Sequence, residues 1–348
     1  MPIFVEPGET RARVALIILK PSHQQEMRKC GNAAKKLYSP MGLDSVMKIA
    51  VTGATGLIGR ELIEALTRDG IEVIALSRRV RATSRPIQTA FWDPANGQLD
   101  TSVLDGADAI VHLAGETISN RWTRAQKERI RRSRVEGTRL IVETAKVLPK
   151  PPRVFVAASA IGFYGDRGND ELDETSPPGS GFLPEVCQDW EAEAARAQDF
   201  GARTVHLRIG VVLSTKGGAL AKMLLPFKLG LGGPMGSGRQ WMSWVHIDDV
   251  VTIIKFVLNN DNLHGPVNTT APRPVRQAEF AKELGRALCR PAIAPAPGFA
   301  LRLILGEMAQ SLLLEGQKVL PRRLEETGYT FKYPTLPEAV ADILAHKK

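Results

Sequence analysis

The stretch KIAVTGATGLIGR (48–60) constrains the fold of this chain more than any other. A short apolar run ends at Gly53, an amphipathic helical pattern opens at about Leu57, and glycines stand at 53, 56 and 59. Each glycine has its own task in a strand–turn–helix. Gly53 permits the tight turn, Gly56 lets backbone approach a pyrophosphate, and Gly59 lets the helix pack on the strand. The helix N-terminus adds open N–H groups and a partial positive charge. Glycine-rich turns are common, so the triplet counts only in this setting. Within a βαβ unit it predicts a dinucleotide loop formed by Gly53, Thr55, Gly56, Leu57, Ile58 and Gly59.

The chain beyond continues the same alternation. IEVIALS (71–77), FWD (91–93), ADAIVHLAG (107–115), RVFVAAS (153–159) and ARTVHLRIGVVLS (202–214) read as strands. A long helix is expected over about 123–147, and Gly70 is placed to end the first one. Such alternation predicts an α/β fold, a doubly wound parallel sheet covered on both faces. GFYGDRGNDELDETSPPGSG (162–181) is polar, has no period and reads as a loop over the cleft. Past residue 214 the alternation degrades. LGLGGPMGSGRQ (229–240) is a Gly-rich connection and WMSWVHIDDV (241–250) a strand leading into a helix, with Asp248 and Asp249 expected to cap it. GPVNTT (265–270) is a short strand, and the region from Pro291 is mostly helical.

The end of the second strand selects the dinucleotide. An NAD site usually carries an acid there for the adenosine ribose, whereas this chain has Ser77, Arg78 and Arg79. A guanidinium accommodates a 2′-phosphate through charge-assisted, bidentate bonds. The cofactor expected is therefore NADP(H), although surface arginines in a loop would look the same.

Composition removes several other classes. No apolar run approaches the roughly 20 residues of a membrane span. The three cysteines (Cys30, Cys187, Cys289) are odd in number and widely spaced, so neither a disulfide framework nor a metal site is expected, and a reducing compartment is. The net charge of +9 and the run RWTRAQKERIRRSR (121–134) raise nucleic acid as a partner. No zinc finger and no interleaved aromatics accompany the run, so an amphipathic helix with a solvated basic face is the reading preferred. Residues 1–46 are irregular and read as an N-terminal extension, either disordered, an upstream-start addition or a targeting peptide. The compartment is then cytoplasmic, or a plastid or other organelle if the extension is a transit peptide.

TGATGLIG, VHLAGE, SAIGFYGDRG, LRIGVVLS, PFKLGLGGPMGSGRQWMSWVHIDDV and LLEGQKVLPRRLEETGYTF together resemble the atypical short-chain dehydrogenase/reductases of the NAD-dependent epimerase type, most closely the 39U subgroup. The resemblance spans about 47–348. It implies a Rossmann domain over 47–215, a small C-terminal α+β region over 216–348 on the substrate side, and an NADP-type cofactor. Carried over by position, Leu113, Ala114 and Gly115 would lie along the cofactor near its adenine side, Glu116 would follow at the cleft, and His112 would be a strand residue. Ser159 and Tyr164 would sit beside the nicotinamide and polarise a carbonyl, although register places the usual serine nearer Ala160. Arg208 is either a cleft residue or a buried structural arginine.

One departure from the family pattern bears on chemistry. Its tyrosine and its lysine one helical turn later are replaced by Cys187 and Glu191, and the asparagine of the preceding helix by Arg134. Glutamate would raise, not lower, the pKa of a neighbouring acid. It remains able to accept hydrogen bonds from ribose, and Arg134 and Glu191 are expected to form an ion pair on the cofactor side, the alternative being two solvent-exposed helix residues. Two functions stay open: an NADP(H)-dependent oxidoreductase or epimerase-like enzyme on an unidentified small molecule, or a non-catalytic NADP(H)-binding regulator. A homodimer is compatible with either.

Overall fold

The structure is a computed structural model, and it describes residues 47–78 and 87–345. Eight strands form one sheet: β1 (Lys48–Thr52), β2 (Glu72–Ser77), β3 (Gln88–Asp93), β4 (Gln98–Leu99), β5 (Ala109–His112), β6 (Val154–Ala160), β7 (Arg203–Ile209) and β8 (Gly265–Thr269). Their spatial order is β8-β7-β6-β5-β1-β2-β3-β4. All neighbours are parallel except the β3–β4 hairpin. The order reverses between β1 and β5, which opens a crevice at their C-terminal ends, where doubly wound sheets bind ligands.

Period-two patterning sorts β1 between two cores. Ile49 and Val51 face one apolar cluster, which includes Leu62, Leu66, Ile253 and Val257 from helices α1 (Leu57–Arg68) and α5 (Ile247–Leu258). Ala50 faces the other, which includes Ile141 and Ala194 from α2 (Arg124–Lys146) and α3 (Phe182–Ala195). Thr123 starts α2 by accepting from the Gln126 N–H at 3.1 Å. Half of the cations in the run on α2 are matched by acids: Lys127 by Glu307, Arg131 by Asp189 and Arg132 by Glu136.

Three expectations need correction. The strand expected over 202–214 breaks at Gly210, where a Cβ would lie 2.5 Å from the Ser243 carbonyl oxygen. Val211–Leu213 then leaves the sheet and pairs with Trp244–His246. The division expected at 215/216 is crossed by the sheet itself, since β8 hydrogen-bonds to β7 along its whole length. Finally, Asp248 and Asp249 do not cap α5. The cap is His246, whose Nδ1 accepts from the Asp248 N–H at 3.0 Å. Asp249 is buried and holds the C-terminal segment instead, accepting from the N–H groups of Lys332 (2.8 Å) and Tyr333 (3.0 Å).

Besides α5, four longer helices follow β7: α4 (Gly218–Lys228), α6 (Gln277–Ala287), α7 (Gly298–Leu305) and α8 (Leu336–Ala345). A separate apolar cluster of Leu220, Phe227, Trp244, Phe280, Leu284 and Val340 supports most of them. The extension 1–46 and Arg79 lie outside the described residues.

Candidate functional site

The site is built on the loop between β1 and α1. Gly53 has φ +67°, in the left-handed region, and a Cβ there would come within 2.9 Å of the Leu113 carbonyl group. A Cβ on Gly59 would lie 2.2 Å from the Gly53 oxygen, so helix and strand pack at a distance only glycine allows. No side chain caps α1 at Gly56, which leaves its first-turn N–H groups facing the crevice mouth. Thr55 and Gly56 are exposed, while Leu57 and Ile58 are half-buried. Ser77 is half-buried at the end of β2, and Arg78 beyond it is exposed. The donor set, the open helix end and the glycine cradle fit a dinucleotide with an additional phosphate.

The loop after β5 is held from behind. Thr52 Oγ1 accepts from the N–H groups of Leu113 (3.0 Å) and Ala114 (3.2 Å) and lies 2.8 Å from His112 Nδ1. His112 Nε2 meets Thr138 Oγ1 at 3.1 Å. The ring is fully buried, and burial pushes its pKa down to about 3, so it stays neutral. His112 is thus a brace between β1, β5 and α2. Gly115 and Glu116 lie past the brace, Glu116 half-buried with its N–H on Ser133 Oγ at 2.9 Å.

The slot where a tyrosine–lysine pair is usual has been rebuilt. Glu191 receives a two-pronged guanidinium from Arg208, Nε to Oε1 and Nη2 to Oε2, both at 2.9 Å. Ser159 donates to the same Oε1 at 2.6 Å. Arg208 also donates from Nη1 to the Tyr164 hydroxyl at 3.0 Å, and Tyr164 in turn donates to Asn268 Oδ1 at 2.7 Å. Asn268 is itself fixed, its side-chain nitrogen on the Leu320 carbonyl and its N–H on Glu174 Oε1. The Arg208 guanidinium carbon lies 3.4 Å from the Phe163 ring centre, a cation–π contact. Arg208 and Glu191 are almost sealed, with side chains 5% and 12% exposed.

Several expected roles change on this geometry. Glu191 pairs with Arg208 rather than with Arg134. The hydroxyls of Ser159 and Tyr164 both donate inside the protein, to Glu191 Oε1 and to Asn268 Oδ1. Burial raises the Tyr164 pKa to about 12, and its ring is fully buried. Cys187, in the tyrosine slot, is buried and lies 3.8 Å from the Ala160 carbonyl oxygen. Burial, then the nearby Glu191, push its thiol up to about 12. Arg134 is half-buried, with Nη1 on the Glu116 carbonyl (3.0 Å) and the Ile130 carbonyl (3.2 Å).

Asn268 and Glu174 escaped the sequence reading. The only sign of them was an amide in the apolar strand GPVNTT and an acid in a polar loop, neither of which has a spacing that marks a partner.

The fold and crevice define a class, and sequence comparison agrees. The profile of the NAD dependent epimerase/dehydratase family matches residues 49–268. That of DUF1731, a domain of unknown function, matches 296–343. The chain belongs to the NAD dependent epimerase/dehydratase family. It is 42% identical over 307 residues to an epimerase family protein of Arabidopsis thaliana, the chloroplastic SDR39U1 homolog, covering 86% of this chain and 88% of that one. To the epimerase family protein YfhF of Bacillus subtilis it is 37% identical over 303 residues, covering 87% and 99%. The crystal structure of human epimerase family protein SDR39U1 (isoform 2) with NADPH superposes with a TM-score of 0.79 at 38% identity, covering 86% of this chain and 100% of that one. A nucleoside-diphosphate sugar epimerase of Corynebacterium glutamicum superposes with a TM-score of 0.72 at 35% identity, covering 92% and 63%.

Proposed function

We propose that the chain binds NADP(H) in the β1/β5 crevice and acts on a small molecule by oxidoreductase or epimerase-like chemistry that does not use a tyrosine–lysine pair. The observation that carries the binding is the glycine cradle under an uncapped helix end, with Arg78 at the end of β2. The human relative solved with NADPH supports the same cofactor. When bound, the dinucleotide supplies a hydride donor or acceptor. The chain's own parts are then distinct. Gly53, Thr55, Gly56, Leu57 and Ile58 receive the pyrophosphate, Gly59 keeps α1 close, and Ser77 with Arg78 and Arg79 meets the 2′-phosphate. Leu113, Ala114 and Gly115 present a flat, small wall along the cofactor. Glu116 and Arg134 face the reacting end, a carboxylate for proton exchange and a cation for an oxygen.

A second reading, a non-catalytic NADP(H)-responsive regulator, draws on a different observation: the protons of Ser159, Tyr164 and Cys187 are all retained by the protein. Titration of NADPH and NADH, separately, into the full chain with tryptophan fluorescence tests the shared part. NADPH is expected to bind at least about tenfold tighter, the worth of one charge-assisted phosphate contact. Equal affinities would overturn the Arg78 assignment, and no binding would overturn the whole reading. Consumption of absorbance at 340 nm with small carbonyl compounds then separates enzyme from regulator.

A further inference from the structure

Arg134 stands on α2, and its hydrogen bonds use only part of the guanidinium. Nη1 supplies both of its bonds, to the carbonyls of Glu116 and Ile130. Nε and Nη2 have no acceptor among the described residues. They are also not among the sealed, partnerless nitrogens of the interior, a group that does include Arg203 Nε. The plane is fixed by packing. The guanidinium carbon is 5.1 Å from the Trp190 ring centre, and a Cβ on Gly115 would lie 3.2 Å from it. A rigid guanidinium with Nη1 occupied retains its Nε–Nη2 edge, the side that grips two coplanar oxygens at once.

The surroundings leave that edge short of negative charge. Cys187 is protonated, and the Glu191 carboxylate belongs to Arg208. Burial disfavours the charge of Arg134 and the nearby Glu116 favours it, but Glu116 meets the guanidinium through its backbone carbonyl, and its carboxylate makes no hydrogen bond to Arg134 among the described residues. Glycine at 115 keeps the approach open, since any side chain there would press on the guanidinium.

We propose that the Nε–Nη2 edge of Arg134 is a substrate-binding fork for a carboxylate, set beside Gly115 at the floor of the cleft. The substrate class is then a small oxo or hydroxy acid rather than a neutral sugar or alcohol. This rests on the cofactor reading above for the position of the reacting end. The same fork chemistry would suit a phosphate of the dinucleotide, and the experiment separates the two sources.

Malonate and inorganic phosphate are titrated into the full chain, with and without saturating NADPH, and followed by tryptophan fluorescence, which Trp190 makes sensitive to the fork. Wild type is expected to give a saturable malonate response with NADPH bound. Arg134→Met is expected to weaken malonate by about tenfold or more and Arg134→Lys by less, because a point charge cannot reproduce the fork. NADPH affinity is expected to stay within about twofold in both variants, a difference too small for a lost phosphate contact. Thermal melting of both variants reports that they fold. Malonate binding in Arg134→Met equal to wild type, or no saturable response in wild type, overturns the proposal. So does a large loss of NADPH affinity in Arg134→Met with phosphate competing against NADPH, which assigns the fork to the cofactor. Absence of NADPH binding by wild type overturns the cofactor reading alone, because the malonate titration without NADPH still decides the fork.

Discussion

The two ends of the crevice treat polar groups in opposite ways. At the β1–α1 turn, backbone donors are left open, and glycines clear the space in front of them. At the β6–β7 end, Ser159, Glu191, Arg208, Tyr164 and Asn268 satisfy one another inside the protein. Open donors cost stability and are kept where a ligand will meet them; a closed network holds secondary structure together. The nucleotide end of the crevice thus keeps open donors, and the β6–β7 end is a closed, hydrogen-bonded joint.

The comparison breaks most visibly if the joint is cut. Arg208→Met leaves the Glu191 carboxylate buried without its cation and is expected to cost about 3–5 kcal/mol in urea unfolding. Adding Glu191→Gln should return much of that. A single variant losing under about 1 kcal/mol would mean that the pair is not structural. At the open end, Gly59→Val is expected to cost about 3 kcal/mol by overpacking α1 on β1, and to abolish NADPH binding even in molecules that remain folded. Arg78→Ala should lower NADPH affinity by about tenfold and leave NADH unchanged, so that a parallel fall in both would move the 2′-phosphate elsewhere.

The smallest effects are in pH. His112 has its folded pKa lowered from 6.5 to about 3, so its contribution is complete above 6.5 and lost as pH falls toward 3. Cys187 is raised from 9.0 to about 12, so its contribution is complete below 9.0 and lost as pH rises toward 12. Melting curves across both limbs should therefore flatten on the acid side in His112→Gln and on the alkaline side in Cys187→Val. Rapid alkylation of Cys187 by iodoacetamide at pH 8 in the folded protein would contradict its burial.

The sheet was legible because each strand is a short apolar run and the glycine turn has a fixed geometry, so β1, β2 and β6 fall within a residue of where the pattern puts them, and β5 lies inside its expected run. The cofactor loop shares that legibility, since its work is done by backbone. The joint was not legible. Arg208, Glu191 and Asn268 lie far apart in sequence, and which carboxylate a guanidinium reaches depends on how neighbouring strands line up. The pairing of Glu191 with Arg134 failed for that reason: charge complementarity along two helices gives no distance, and β7 presents Arg208 nearer. The strand break at Gly210 was invisible too, because it answers to the Ser243 carbonyl of another segment.

The clasp at the base of α5 has a consequence for how this chain is made. Asp249 waits for Tyr333, 84 residues further along, while Asp248 waits for Lys332 and His246 lies 3.3 Å from Asp342. At synthesis rates of about 5–20 residues per second, that interval lasts roughly 4–17 s. Throughout it, α5 can lie on the sheet, but the acid at its base has no backbone N–H groups to receive. The later-made segment is thus a fastener for an earlier one.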